Sequence, residues 1–408
     1  MDSKQQYAYN QVLKNKSVFI TSAAGCGKSF TLGKIVRSAK ERDVEVGVTA
    51  MTASAALLIH GRTLHSYLGI GLGTKDASTL AFLTKTKNKK LYNRLRRLNI
   101  LIIDEVSMLD AALCDKISAY LQLVRQDSRP FGGVVMVFCG DLFQLRPVKG
   151  DYCFKAAAWE ALNPTVVLLE TQYRQDNDTI FANMLTRLRW GRCSKEDLLK
   201  LKACKDTSFP PGIEPTKVYS LNVDVDTINF MRFEKVCETS PPEKIIKYPT
   251  VGMVPKGTNI QESVTLCPGL QVVVTWNIAG TNIVNGTRGI IVDTRDTSVV
   301  IKTMHGYEVV IEYLEYTPEN AGEDERVRFM PLKLAYAVSV HKTQGMTLDC
   351  MQIDLGNTIF EYGQAYTALS RARSLASVKI VDVADTSFKA HPDVVNFYTQ
   401  ANFESLEV

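Results

Sequence analysis

The chain has no Cys-x-x-Cys pair and no Cys/His spacing of the kind that holds zinc. Its nine cysteines are scattered singly. An odd count with no secretory leader argues against a disulfide scaffold and predicts a reducing, intracellular setting. No apolar run approaches the ~18 residues needed to cross a bilayer, so no membrane partner is expected. No low-complexity segment or short-period repeat appears, which leaves distant duplication of an αβ domain as the one repeat to consider. Acidic residues are missing from one stretch in particular. Between Lys85 and Arg97 lie Lys85, Lys87, Lys89, Lys90, Arg94, Arg96 and Arg97 with no carboxylate among them. Such a block fits contact with phosphates, and it equally fits a solvated helix face. The net charge of +5 is too small to decide between them.

What is present is ordinary for a soluble globular protein. The 408 residues are 45% apolar and 22% charged, enough for about two to three domains. The organising stretch is Ser22-Ala-Ala-Gly-Cys-Gly-Lys-Ser29. Before it, Val18, Phe19 and Ile20 read as a buried strand. After it, Leu32, Ile35 and Val36 share one face of a helix whose other face carries Lys34, Arg37 and Lys40. Strand, glycine loop, Lys-Ser and helix make a phosphate cradle. Gly25 and Gly27 let backbone N–H groups approach phosphates, Lys28 reaches the β and γ oxygens, and the Ser29 hydroxyl ligates Mg²⁺. Ser22 stands where the usual pattern opens with glycine.

Leu98–Val106 is a continuous apolar run that ends in Asp104 and Glu105. A run without alternation fits a strand buried on both faces of a parallel sheet, and ligands bind at the carboxyl ends of such strands. Asp104 is then expected to hold Mg²⁺ and Glu105 to orient and deprotonate the attacking water. The run Val134–Cys139 ends at Gly140-Asp-Leu-Phe-Gln144, placing Gln144 to sense a γ-phosphate. Val44–Ala50 reads as a second short strand.

A second αβ series is expected from Val166, with strands Val166–Leu169, Val218–Leu221, Leu334–Val340, Met351–Leu355 and Val378–Val383. An insertion interrupts it. Pro241, Pro242, Pro249 and Pro255 mark its entry, and short strands Gln271–Trp276, Gly289–Asp293, Val299–Thr303 and Tyr307–Tyr313 follow. Turns at Asn285-Gly286 and His305-Gly306 separate them. Closely spaced short strands predict a small β-barrel, left by an acidic loop with Glu319, Glu323, Asp324 and Glu325. Arg174 and Arg371 fit arginines that reach a γ-phosphate on domain closure, and they equally fit surface ion pairs. The donor-rich His341-Lys-Thr-Gln-Gly-Met-Thr347 fits a grip on phosphates or sugars. Tyr67 and Trp276 are candidate stacking platforms for bases.

Together these motifs resemble the superfamily 1 DNA helicases of the petite-integration-frequency (PIF) type, which are similar to the RecD group. The match covers nearly the whole chain. It includes Gln5, SAAGCGKS, TAMTASAA (Thr49–Ala56), TLHS (Thr63–Ser66), IIDEVSMLD (Ile102–Asp110), the group-specific stretch Asp115–Asp141, GDLFQLRPV, YRQ (Tyr173–Gln175), HKTQGMTLD (His341–Asp349) and YTALSRAR (Tyr366–Arg373). Arg146 replaces the usual proline.

The resemblance implies an α/β fold of two RecA-like parallel-sheet motor domains. The first would span 1–165, with a small wedge insertion at about 70–92. The second would span 166–408, interrupted at 250–328 by an SH3-like β-barrel. It implies ATP and Mg²⁺ as cofactors, with nucleotide contacts at Gln5, Gly25, Cys26, Gly27, Lys28, Ser29, Asp104, Glu105, Gln144, Arg174, Gly345 and Arg371. DNA contacts would fall on Thr49, Thr63, His65, His341, Lys342 and Thr343. The expected activity is ATP-driven 5′→3′ movement on single-stranded DNA by a monomer that unwinds forked or tailed duplexes. Two alternatives remain: an ATP-gated nucleic-acid clamp without unwinding, and a phosphate-loop kinase or small-molecule ATPase.

Overall fold

Apolar runs without alternation are stable as strands only where both faces are covered. The computed structural model describes every residue except 72, 174–177, 210–213, 221–224, 253, 255–259, 279–280, 282, 284, 304–305, 318–325 and 402–408. The chain forms two compact units. The first holds the described residues of Met1–Arg174 and His391–Val408, the second those of Gln175–Pro255 and Asn259–Ala390.

In the first unit, helix α1 (Ser3–Leu13) leads into strand β1 (Val18–Thr21) and helix α2 (Lys28–Glu41). There follow β2 (Val46–Ala50), α3 (Ala53–Leu58), β3 (Arg62–Thr63), α4 (Leu64–Leu68), α5 (Ala77–Lys87), α6 (Lys89–Arg97) and β4 (Ile100–Asp104). Then come α7 (Ala111–Arg125), β5 (Val135–Gly140), α8 (Ala157–Leu162) and β6 (Thr165–Leu168). The six strands form one parallel sheet in the order β3-β2-β4-β5-β1-β6. Every residue of β1, β2, β4 and β5 is buried. Ala8, Val12, Leu32 and Ile35 of α1 and α2 pack on Ile20, Val48, Ile102 and Val137. An aromatic cluster forms around Phe19, Phe138 and Trp159, whose rings lie 4.6–5.4 Å from one another through Trp159.

The expected start of a second sheet at Val166 is corrected here. β6 pairs in parallel with β1, with Val18 opposite Thr165 and Thr21 opposite Leu168, so it is the edge strand of the first sheet. An apolar run reveals that a strand is buried and not which sheet it joins. The stretch expected as a wedge contains α5 and the start of α6. These two short helices are capped by Asp76 and Asn88, which accept from the Thr79 and Leu91 N–H groups at 2.8 and 2.9 Å.

The second unit opens with α9 (Thr179–Arg189), α10 (Lys195–Ala203), β7 (Thr216–Tyr219) and α11 (Val225–Cys237). Next come β8 (Ile246–Pro249), β9 (Ser263–Leu266), β10 (Gln271–Val274), β11 (Arg288–Arg295), β12 (Ser298–Thr303), β13 (Glu308–Glu312), β14 (Leu314–Tyr316), β15 (Val327–Phe329) and β16 (Leu332–Leu334). It closes with β17 (Ala337–Ser339), β18 (Met351–Leu355), α12 (Gln364–Leu369) and β19 (Val378–Val383). Its parallel sheet runs β17-β7-β18-β19.

The insertion is a five-stranded antiparallel sheet, β13-β12-β11-β10-β16, over a core of Leu270, Val272, Ile291, Val299, Ile301, Ile311 and Leu332. It extends past the expected end at 328, because β16 pairs with β10. Two contacts tie the insertion to the parallel sheet. Gly286 has φ +95°, and a Cβ there would lie 1.5 Å from the Thr347 carbonyl oxygen, so only glycine fits that turn. The buried Arg288 guanidinium donates to the carbonyls of Cys350 and Ala335 at 2.9 and 2.8 Å. Leu221, Pro255, His305, Glu319, Glu323, Asp324 and Glu325 lie outside the described residues.

The chain then returns. Helix α13 (Pro392–Gln400) belongs to the first unit, which corrects the expectation that everything after 166 forms the second. Phe397 packs on Phe154, Phe19 and Trp159 with ring centres 4.6–6.4 Å apart.

Candidate functional site

The phosphate loop joins β1 to α2. Gly25 and Gly27 have φ of 92° and 79°, and Gly27 caps the helix in the left-handed conformation. A Cβ on Gly27 would sit 2.6 Å from Gln5 Nε2 and 3.2 Å from the Tyr173 ring, so glycine is needed here for space as well as for backbone. Cys26 is buried and Ser29 is exposed. Lys28 Nζ donates to the Ser22 carbonyl at 3.1 Å, the Ser22 hydroxyl at 2.9 Å and the Ala23 carbonyl at 3.0 Å. All three ammonium protons thus stay on the loop itself. Ser22 is buried and has no positive φ, so it accepts the turn that glycine usually makes.

Three strands deliver the remaining parts, because parallel strands end on one edge. β5 lies between β4 and β1. Asp104 ends β4 and is buried. Burial pushes its carboxyl pKa up, opposed by the Glu105 N–H, the Lys28 charge and the Cys139 thiol. The Glu105 N–H donates to Asp104 Oδ1 at 2.9 Å. A cation beside Asp104 would reverse that upward shift. An exposed serine hydroxyl and a buried carboxylate are hard oxygen donors that suit Mg²⁺. Glu105 itself is left-handed, at φ 53° and ψ 44°. Burial also drives the neighbouring Cys139 thiol pKa well up, so it stays protonated as a donor to Asp104. Gln144 follows β5 and is buried, and among the described residues its Oε1 has no hydrogen-bond partner.

Gln5 is set by the start of α1. Its Oε1 accepts from the Asp2 N–H at 3.1 Å, while the Gln5 N–H donates to Asp2 Oδ1 at 2.8 Å. The capping box thereby fixes which end of the amide is free: Nε2 is buried and unpartnered among the described residues. Sequence reasoning missed Tyr173 as a wall of this pocket. Its N–H donates to the Gly25 carbonyl at 2.9 Å and its ring faces Gly27. The only signal was its place beside Arg174, which lies outside the described residues.

Of the expected DNA contacts in the first unit, Thr63 opens α4 and is half-buried, as is His65. Burial lowers the His65 pKa, against the opposing charge of Asp110. Thr49 is corrected: it is fully buried and donates its hydroxyl to the Ile102 carbonyl at 2.5 Å, tying β2 to β4. Tyr67 is no platform either. It is buried against Gly47 with the Arg94 guanidinium 4.3 Å from its ring centre.

In the second unit, His341 and Lys342 are exposed, and Lys342 lies 3.7 Å from Asp226. Thr343 is buried and donates to the Val340 carbonyl at 2.7 Å, which removes it as a DNA contact. Trp276 is buried edge-on against Tyr316 and Phe329, a core residue and not a platform. Gly345 has φ 78°. Arg371 is buried, and its guanidinium donates to the Thr367 carbonyl at 3.0 Å and the Ser370 hydroxyl at 2.8 Å. The neighbouring Gln344 is fully buried with both amide atoms unpartnered among the described residues.

The first 198 residues match the family model described as PIF1-like helicase. The chain is 31% identical to the ATP-dependent DNA helicase Pif1 of Bdellovibrio bacteriovorus over all of its own length and 93% of that protein. The chain belongs to the PIF1-like helicase family. It is also 34% identical to human ATP-dependent DNA helicase PIF1 over 98% of its own length, and spans 63% of that relative's length. A crystal structure of Pif1 helicase from Bacteroides in complex with ADP-AlF3 and single-stranded DNA matches with a TM-score of 0.68 and 25% identity, covering 98% of this chain and 96% of the other. The stretch Asp115–Asp141, expected from the resemblance as a group signature, lies on α7, the loop after it and β5. Arg125 of α7 donates to the carbonyls of Leu95, Arg96 and Leu98 at 3.0, 2.9 and 2.7 Å, holding the end of the basic helix α6.

Proposed function

We propose that the chain is an ATP-dependent DNA helicase that moves 5′→3′ along single-stranded DNA as a monomer and unwinds forked or tailed duplexes. The observation that carries this reading is one sheet edge. There Lys28, Asp104, Glu105 and Gln144 arrive on the adjacent strands β1, β4 and β5, with Gln5 Nε2 free beside the loop. The names of the curated relatives support it, as does the nucleotide analogue and DNA held by the Bacteroides relative.

On ATP binding, Lys28 exchanges its loop carbonyls for β- and γ-phosphate oxygens. Ser29 and Asp104 would hold Mg²⁺, which would supply charge neutralisation at the phosphates. Glu105 accepts the proton of the attacking water and Gln144 orients that water. Arg371 and Arg174 contribute positive charge to the transferring phosphoryl group, and Gly345 leaves room for it. Thr63, His65, His341 and Lys342 grip the sugar-phosphate backbone without reading sequence.

Matched duplexes carrying a 5′ or a 3′ single-stranded tail test the reading. With ATP, the 5′-tailed duplex should separate and the 3′-tailed one should not. Lys28→Ala should abolish both hydrolysis and separation while keeping the fold. DNA-stimulated hydrolysis without separated strands would replace the helicase with a clamp. Hydrolysis indifferent to DNA would make the chain a small-molecule ATPase.

A further inference from the structure

The helix α13 carries none of the motifs that identify the family, yet it reaches the nucleotide edge of the first sheet. It is anchored by Phe397 in the aromatic cluster and by an ion pair between Asp393 and Lys155. Its His391 caps the helix by accepting from the Asp393 N–H at 3.2 Å. Two turns further on, Tyr398 is buried, and its hydroxyl lies 2.5 Å from Thr21 Oγ1. The same oxygen accepts from the Leu142 N–H at 3.4 Å. The ring stacks on Phe143 at 4.9 Å with an interplanar angle of 11°. Thr21 is the last residue of β1, directly before Ser22, whose hydroxyl and carbonyl hold Lys28. Leu142 and Phe143 directly precede Gln144.

We propose that Tyr398 is a positioning residue for ATP hydrolysis. Its phenol oxygen and ring set the spacing between the phosphate loop and Gln144. Packing alone would be served by phenylalanine. The hydroxyl is what bridges the ends of two neighbouring strands, since Thr21 and Gly140 are paired in register and Leu142 lies just beyond. Without it, the Thr21 hydroxyl and the Leu142 N–H lose a shared partner in a place water does not reach, and the loop carrying Gln144 is free to shift. A shift of about 1 Å in a group that orients the attacking water is enough to cost a large factor in rate.

The inference rests on the nucleotide chemistry of the proposed function and not on unwinding. Tyr398→Phe is the test, in the full chain with single-stranded DNA present. ADP affinity should stay within twofold, while kcat for ATP hydrolysis falls fivefold or more. In a Gln144→Ala background the same change should cost less than twofold further, because the two residues act through one step. Amide exchange at residues 141–145 should quicken in the nucleotide-free variant. That readout does not depend on hydrolysis, so it judges Tyr398 even if the unmodified chain proves inactive and the functional reading falls. A Tyr398→Phe protein that melts earlier but keeps kcat and the exchange pattern would reduce the residue to core packing. So would losses that multiply with those of Gln144→Ala.

Discussion

Glu105 occupies a left-handed backbone conformation that a side chain with a Cβ adopts only at a cost of about 1 kcal/mol or more. The turn brings its N–H onto Asp104 Oδ1, so the strain sits at the residue proposed as the general base. Glu105→Gly should therefore raise unfolding free energy by about 1 kcal/mol in urea titrations while removing ATP turnover. Lys333 on β16 is strained electrostatically. Burial, with help from the Lys342 charge and against Asp226, brings its ammonium down to about 8 from the ordinary 10.5. The folded chain thus gives up this proton more readily than the unfolded one. Between pH 8 and 10.5 the unfolded state binds more protons, so stability rises with pH there, and below pH 8 the full penalty applies. Lys333→Met should be more stable than the parent at pH 7 by on the order of 2–3 kcal/mol. The gap should close toward pH 10.5. A gap that does not change with pH would place the effect in packing.

At the scale of elements, Arg125 does for the basic helix α6 what a capping residue does for other helices. Helix ends leave carbonyls unsatisfied, and one half-buried guanidinium takes three of them while its Nε holds the Gly132 carbonyl at 2.7 Å. Arg125→Ala should cost about 2–3 kcal/mol, and amide exchange should quicken over Lys89–Arg97 before the central sheet changes. Protection unchanged in α6 would show that the helix holds itself. Such contacts mark the limit of what the sequence makes legible. The phosphate loop and the acidic strand end are readable because their chemistry depends on neighbours a few residues apart. The strands of the insertion are readable for the same reason, from β-rich runs between turn residues. Arg125 and its carbonyls are about 30 residues apart, and Thr49 looks like a free hydroxyl until its strand is paired with β4. Tyr67 and Trp276 show the same limit. An aromatic ring has the same letters whether it faces solvent or packs in a core, as Tyr67 does against Gly47 and Trp276 against Tyr316 and Phe329, and only the tertiary packing decides.

For the whole molecule, the decisive feature is that the first unit is not continuous in the chain. It is left near residue 174 and completed only when the chain comes back at His391. Until then the aromatic cluster around Phe19, Phe154 and Trp159 lacks Phe397, and Thr21 lacks Tyr398. Val394 and Tyr398 are fully buried and Phe397 partly so. At about 1.5–3 kcal/mol for each large apolar side chain, the helix contributes on the order of 4–6 kcal/mol to the unit it joins. That is a large fraction of a typical domain's total stability. Ending the chain after Ala390 should therefore lower the melting point of the first unit and shift Trp159 emission to the red. The sheet of the second unit should keep its amide protection, since α13 is no part of it. A synthetic peptide spanning residues 391–401 should restore the Trp159 signal at micromolar concentration, because helix, cap and aromatic anchors are all contained in it. Equal loss of protection in both units would instead mean that they unfold as one cooperative body, with the returning helix holding the two together.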